Sequence, residues 1–305
     1  MKSDKTIHPD NSGRGGKLIK IKKSDIEKLR AELAEKKRSE NAGKSAAPKD
    51  SPDEDPSEDK GEGIAPLLEQ NSTEISVPLS GEAIRAFKEY AALLRKWNKV
   101  MNLTNIVDDN GIAMRHFIDS LTLVPFLEEE QKRLGRKDLS LIDVGTGAGF
   151  PGIPVKVRMS EIELTLLDSL NKRINFLNEV VDKLELKNVV TLHSRAEDAG
   201  SDKKYRGRYD VATARAVASL PVLCEYCLPF VKTGGAFIAM KGHVEEELEE
   251  STKAIIKLGG SVETVKKFVL PGTDMDRSVV VIRKIRPTPP GYPRQAGKPG
   301  KDPIR

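Results

Sequence analysis

Cysteine is nearly absent from this 305-residue chain, which holds two, Cys224 and Cys227. With no second pair there is no four-thiolate zinc site, and no metal is expected. A Cys-x-x-Cys pair can also be a redox motif, but these two share one face of a predicted helix with Leu220 and Leu228, and core packing is the expectation. No apolar run approaches the length of a membrane span, and the opening Met1-Lys-Ser-Asp-Lys-Thr is too polar for a signal peptide, so a cytoplasmic chain with no membrane contact is expected. Aromatic residues make up 5% of the chain, and residues 1–63 contain none. That stretch, rich in Lys, Glu, Asp, Ser and Pro, is expected to be a disordered extension. Within it Ser24-Asp-Ile-Glu27 is a capping box that opens a short helix over about 24–38, with Ile26, Leu29 and Leu33 as a thin apolar stripe.

The net charge of +5 is unevenly spread. Residues 283–305 carry seven Lys and Arg against one acid, whereas residues 64–282 carry 29 against 31. Any contact with a polyanion therefore starts from the C-terminal tail.

From Leu79 onward Ile84, Phe87, Tyr90, Ala91, Leu94, Trp97 and Met101 recur at helical spacing, and a second helix is predicted over Gly111 to Leu127. These belong to a helical cap spanning 64–134. Residues 135–286 then alternate short apolar runs with amphipathic stretches, the pattern of a parallel sheet with helices on both faces. Two closing strands, near Ser261 to Leu270 and Ser278 to Arg286, have no helix between them, so one must run antiparallel. The predicted fold is α/β: a Rossmann-like, mostly parallel sheet with one reversed strand, as in class I methyltransferases, followed by a basic Pro/Gly-rich tail over 287–305.

The first of these strands runs into Gly145-Thr-Gly147-Ala-Gly149-Phe150. Glycines at alternate positions let a ligand approach the backbone. The dinucleotide fingerprint wants glycine at the sixth position, where this chain has Phe150. A second apolar run ends in Asp168, where a carboxylate accepts hydrogen bonds from ribose hydroxyls. Together they imply a nucleoside-bearing ligand without a pyrophosphate, which suits S-adenosyl-L-methionine.

Five blocks carry a wider likeness: Trp97-Asn-Lys-Val-Met-Asn-Leu-Thr104, Arg115-His116-Phe-Ile-Asp119-Ser120, Asp143 to Gly152, Leu167-Asp-Ser-Leu-Asn-Lys-Arg173 and Arg215-Ala-Val-Ala-Ser-Leu220. In this order they resemble the bacterial 16S rRNA guanine-N7 methyltransferase family, RsmG or glucose-inhibited division protein B, over roughly residues 65–305. The resemblance implies S-adenosylmethionine as donor and, as acceptor, a guanine in the decoding-region hairpin of 16S rRNA in the small ribosomal subunit. It implies donor contacts at Gly145, Gly147, Phe150, Asp168, Ser169, Leu170, Ala196, Glu197 and Arg215. Gly145 would clear the methionine portion, and the chain near Ala196 and Glu197 would read the adenine edge. Arg215 would hold the donor carboxylate or an RNA phosphate.

Guanine N7 already carries a lone pair, so its methylation needs no general base. The chain lacks an Asn-Pro-Pro-aromatic run and a Pro-Cys nucleophile, which excludes exocyclic-amine and pyrimidine-carbon methylation chemistry. His116 and Arg215 are the candidate catalytic residues. With Asp119 three positions on, His116 either lines a guanine pocket or forms an ordinary buried His-carboxylate hydrogen bond. Lys241 is either a substrate contact or a solvated strand-end lysine. The tail shares Tyr-Pro-Arg and Gly-x-Pro with the family and is expected to touch RNA phosphates, with Tyr292 for stacking, so its removal should spare donor binding. A monomer is expected. The rivals are a nicotinamide oxidoreductase and a ribosome-binding assembly factor that has lost the chemistry.

Overall fold

The computed structural model describes residues 63–305, so the extension and its capping-box helix lie outside the described residues. Seven strands form one sheet: β1 (Ser140–Val144), β2 (Glu163–Asp168), β3 (Val189–His193), β4 (Tyr209–Arg215), β5 (Val231–Lys241), β6 (Gly260–Val269) and β7 (Asp276–Lys284). Their spatial order is β3-β2-β1-β4-β5-β7-β6. β1 to β5 pair in parallel, and β7 is antiparallel to both neighbours, which makes it the single reversed strand. The chain leaves β1 toward β2 and β3, then returns to place β4 on the other flank of β1. That reversal opens a crevice at the C-terminal ends of β1 and β4, where ligands of such sheets bind.

The inner strands are buried on both faces, as parallel strands covered by helices must be, whereas the edge strands β3 and β6 are mostly half-buried or exposed. On β1, Leu141 points into one core while Ile142 and Val144 point into the other; on β5, Ala236, Ile238 and Met240 oppose Phe237 and Ala239. The first core is closed by α1 (Ile64–Glu74), α2 (Gly81–Met101), α3, α4 (Val124–Leu134), α5 (Gly152–Arg158) and α6 (Asn171–Lys183), where α3 runs in three stretches: Asp109–Gly111, the π-helical Ile112–Ile118, and Asp119–Leu121. The second is closed by α7 (Ala196–Ser201), α8 (Leu220–Cys227) and α9 (Glu245–Lys257). Cys224 and Cys227 are fully buried there as free thiols, their pKa values pushed up by burial.

α2 begins at Ser80, whose hydroxyl accepts from Ala83 N at 3.2 Å, and ends at Asn102 in the left-handed region, so both ends are capped. Its apolar stripe carries Phe87 and Tyr90 against Phe117, Phe150 and Phe176. The single helix expected over 111–127 is two, broken between Leu121 and Val124. Pro125 has no N–H to offer the Leu121 carbonyl and its ring would clash with it, so a new helix starts there instead.

The tail is packed against α7 and α8. The Arg206 guanidinium donates to the carbonyls of Gly200, Thr288, Pro289 and Tyr292. The Arg294 guanidinium donates two hydrogen bonds to the Glu225 carboxylate, which is buried, and a short α10 (Lys298–Lys301) follows. Part of the tail's positive charge is thus neutralised within the fold. Among the described residues no helix is long and apolar enough to cross a membrane.

Candidate active site

The glycine loop is held open from beneath. Gly145 and Thr146 donate their N–H groups to the Leu167 carbonyl at 2.8 and 3.0 Å, tying the end of β1 to β2. The Asp143 carboxylate, fully buried below the loop, accepts from Thr146 Oγ1 at 2.6 Å and from Gly152 N at 2.9 Å. Tyr90 donates its hydroxyl to the Ala148 carbonyl. Gly145, Gly147 and Gly149 have φ of 71°, 61° and 96°, a region that side chains rarely enter.

These elements border a cavity of about 790 Å³ at the C-terminal edges of β1, β2 and β4. It brings together Gly145, Gly147, Phe150, Asp168, Ser169, Ala196, Glu197, Arg215 and His116. Leu170 is not in its lining; its side chain is exposed and its N–H donates to Asp168 Oδ1 at 2.9 Å. Asp168 is buried and also accepts from Gly147 N at 2.9 Å and pairs with Arg173 at 3.3 Å. The sequence reading missed the supporting roles of Tyr90 and Asp143, and missed Thr104, Tyr226 and Gly300 in the wall. Asp143 had a visible signal: an acid two residues before the first loop glycine, on an otherwise apolar strand.

The opposite wall is an aromatic stack. The His116 ring lies parallel to Phe150 with centroids 4.5 Å apart, and the Arg215 guanidinium sits 5.1 Å from the Phe150 centroid. Of the two alternatives for His116, the His116–Asp119 hydrogen bond does not form. His116 Nε2 meets Thr104 Oγ1 at 2.9 Å, while Asp119 pairs with Arg215 and with Arg277, both at 2.8 Å. The π-helical stretch explains this, because its wider turn takes residues three apart off a common face. Asp119 accordingly lies behind the wall and outside the cavity lining. Lys241 departs from both expectations: it donates to the Ala218 carbonyl at 3.0 Å and pairs with Glu247 at 2.8 Å, bracing the loop after β4.

Burial, reinforced by the Arg215 charge, lowers the His116 pKa to about 4, so the ring is neutral at physiological pH. Burial raises that of Asp143 to about 6, against the pull of the Thr146 and Gly152 hydrogen bonds. An acid whose folded pKa is raised loses stability as pH climbs from its ordinary 3.8 through 6, because the unfolded chain ionises first. A base whose folded pKa is lowered loses stability as pH falls from 6.5 through 4. The two trends oppose one another in one pH window. Asp143→Asn should therefore gain about 3 kcal/mol on the wild type between pH 4 and pH 6.5. Urea denaturation of both proteins across that range checks it, and parallel curves would place the Asp143 proton elsewhere.

A nucleoside donor fits these residues. A Cβ built on Gly147 meets nothing within 4 Å, leaving an open cradle at the loop. A carboxylate has about four acceptor positions, and Gly147 N, Leu170 N and Arg173 account for three on Asp168. A pyrophosphate fits less well, since the Gly152 N–H at the start of α5 is already taken by Asp143.

The family model described as rRNA small subunit methyltransferase G, GidB, matches residues 83–279. The chain is 53% identical over 238 residues to the ribosomal RNA small subunit methyltransferase G of Acetivibrio thermocellus, covering 78% of this chain and 96% of that one. The protein of the same name from Desulforamulus reducens is 48% identical over 238 residues, with 78% and 97% covered. With the glycine loop, the β2 acid and the β4 arginine on one cavity, and a family match spanning more than half its length, this chain belongs to the rRNA small subunit methyltransferase G family.

Proposed function

We propose that the protein transfers a methyl group from S-adenosylmethionine to N7 of a guanine in 16S rRNA, acting as a cytoplasmic monomer on the small ribosomal subunit. The observation that carries this reading is the convergence of an open glycine loop and the β2 carboxylate on one cavity, in a chain of this family. S-adenosylmethionine, when bound, supplies an electrophilic methyl on a positively charged sulfur. Gly145, Gly147 and Asp168 would hold it, with Ser169, Ala196 and Glu197 around the adenosine.

Attack by N7 removes no proton, and His116 is suited to stacking rather than to proton abstraction: burial lowers its pKa to about 4, which makes it a weak base, and its Nε2 is bonded to Thr104. The remaining task is to place N7 in line with the methyl carbon and to exclude water. Flat faces suit that task, and Phe150 and His116 form one. We read Arg215 as the residue that holds this stack: it grips Asp119 and the carbonyls of Arg115 and His116 while covering Phe150. The Asp119 carboxylate lies between the two guanidinium groups of Arg215 and Arg277 and offsets one of their two charges.

The test is transfer of labelled methyl to small subunits that lack the modification, followed by mapping. Label on one guanine that is cleaved by N7-specific chemistry is the expected result. A protein that binds adenosylhomocysteine yet labels neither subunits nor protein-free rRNA would be a ribosome-binding factor without the chemistry; one that binds NAD instead would be an oxidoreductase.

A further inference from the structure

We propose that the C-terminal segment, residues 288–300, builds the wall of the donor pocket beside Ala196 and Glu197, with Arg294 as its positioning residue; this rests on the reading of the cavity as the donor site. Gly300 and Tyr226 border the same cavity as Asp168 and Glu197, although Gly300 lies 132 positions beyond Asp168. The segment reaches that place by being tied at several points. Glu225, 1% exposed, accepts from the Arg294 backbone N–H at 2.7 Å as well as from its guanidinium, so side chain and main chain are fixed together. Arg294 also donates to the Asp302 carbonyl at 2.7 Å, closing the turn that carries α10. Gly297 N–H donates to Glu197 Oε1 at 2.7 Å, and Glu197 is itself nearly buried. The carboxylate of a residue implied to read adenine is thus held by the tail.

Two consequences separate this role from a loose RNA-binding arm. Loss of the anchor should free Glu197 and let the wall recede, lowering donor affinity without touching the RNA face. A side chain added at Gly300 should enter the cavity, because a Cβ there meets nothing closer than the Tyr226 hydroxyl at 3.7 Å. The experiment uses the full chain and titrates S-adenosylhomocysteine by calorimetry into the wild type, Arg294→Ala, Arg294→Lys and Gly300→Leu. Arg294→Ala is expected to bind at least tenfold more weakly and Arg294→Lys to recover part of the loss, since it keeps the charge but not the paired geometry. Gly300→Leu should bind at least tenfold more weakly with an unchanged Tm in the absence of ligand. In turnover, KM for S-adenosylmethionine should rise while kcat and KM for small subunits hold. Wild-type affinity in both Arg294→Ala and Gly300→Leu, or a change confined to KM for subunits, overturns the proposal. A wild type that binds no adenosylhomocysteine would instead remove the reading of the cavity on which it rests.

Discussion

Asp168→Ala is expected to bind S-adenosylhomocysteine about 10- to 100-fold more weakly. Hydrogen bonds to a charged acceptor contribute about 1.5–3 kcal/mol each, and about 1.4 kcal/mol is tenfold in affinity. With Gly147 N, Leu170 N and Arg173 already on Asp168, about one acceptor position remains for a ribose hydroxyl, so the variant loses one such bond. The same carboxylate ties down Gly147 N and Leu170 N, so the variant should also lose about 1–3 kcal/mol of stability. Calorimetry gives the affinity and urea denaturation the stability. Unchanged affinity at reduced stability would make Asp168 a loop anchor and nothing more.

The second large effect is a contrast within one loop. Gly147→Ala and Gly149→Ala place the same methyl group two residues apart, both at positive φ, which strains an L-residue by about 1–2 kcal/mol. At Gly147 the methyl meets open space at the cavity. That variant should fold with only the backbone strain and bind donor poorly. At Gly149 the methyl would lie 2.5 Å from both the Tyr90 oxygen and Ile153 Cδ1. Overpacking adds about 1–3 kcal/mol to the strain, so Gly149→Ala should be the less stable by that margin. Denaturation midpoints and adenosylhomocysteine titrations of the pair check both halves. Equal stabilities would mean that the loop relaxes more freely than its Tyr90 and Asp143 contacts allow.

The sheet was legible because its strands carry their signal locally. Leu139 to Val144, Glu163 to Asp168 and the runs after them are short and apolar, and each ends in a turn, so order and alternation could be read residue by residue. The reversed strand followed from the missing helix between β6 and β7. What escaped notice depends on contacts that sequence spacing does not encode. A π-helical stretch breaks the 3.6-residue period from which His116 and Asp119 were placed on one face. α1 has a short apolar face interrupted by Pro66 and polar Asn71 and Ser72, both of which are buried. The tail reads as loose because it is basic and rich in Pro and Gly, yet its order comes from Arg206 binding main-chain carbonyls, which leave no pattern in the side chains. Lys241 looked free for a related reason: Glu247 is six positions away, across the turn into α9.

The place of β7 between β5 and β6 has a bearing on the order of assembly. β6 is made first but pairs with β7 alone, so β5 remains an open edge until the later strand arrives. The two strands must meet each other through the turn at Gly272 and dock as a hairpin, a non-local step that is slow compared with local helix formation. Arg277 rides at the start of β7, and docking carries it to Asp119 across 158 positions of chain. A form with this hairpin undocked keeps the loop, Asp168 and Arg215 but leaves Asp119 with one guanidinium instead of two. Residues 288–300 follow β7 in the chain, so the pocket wall they build can close only after the hairpin docks, and full donor affinity should appear only at the last stage of refolding.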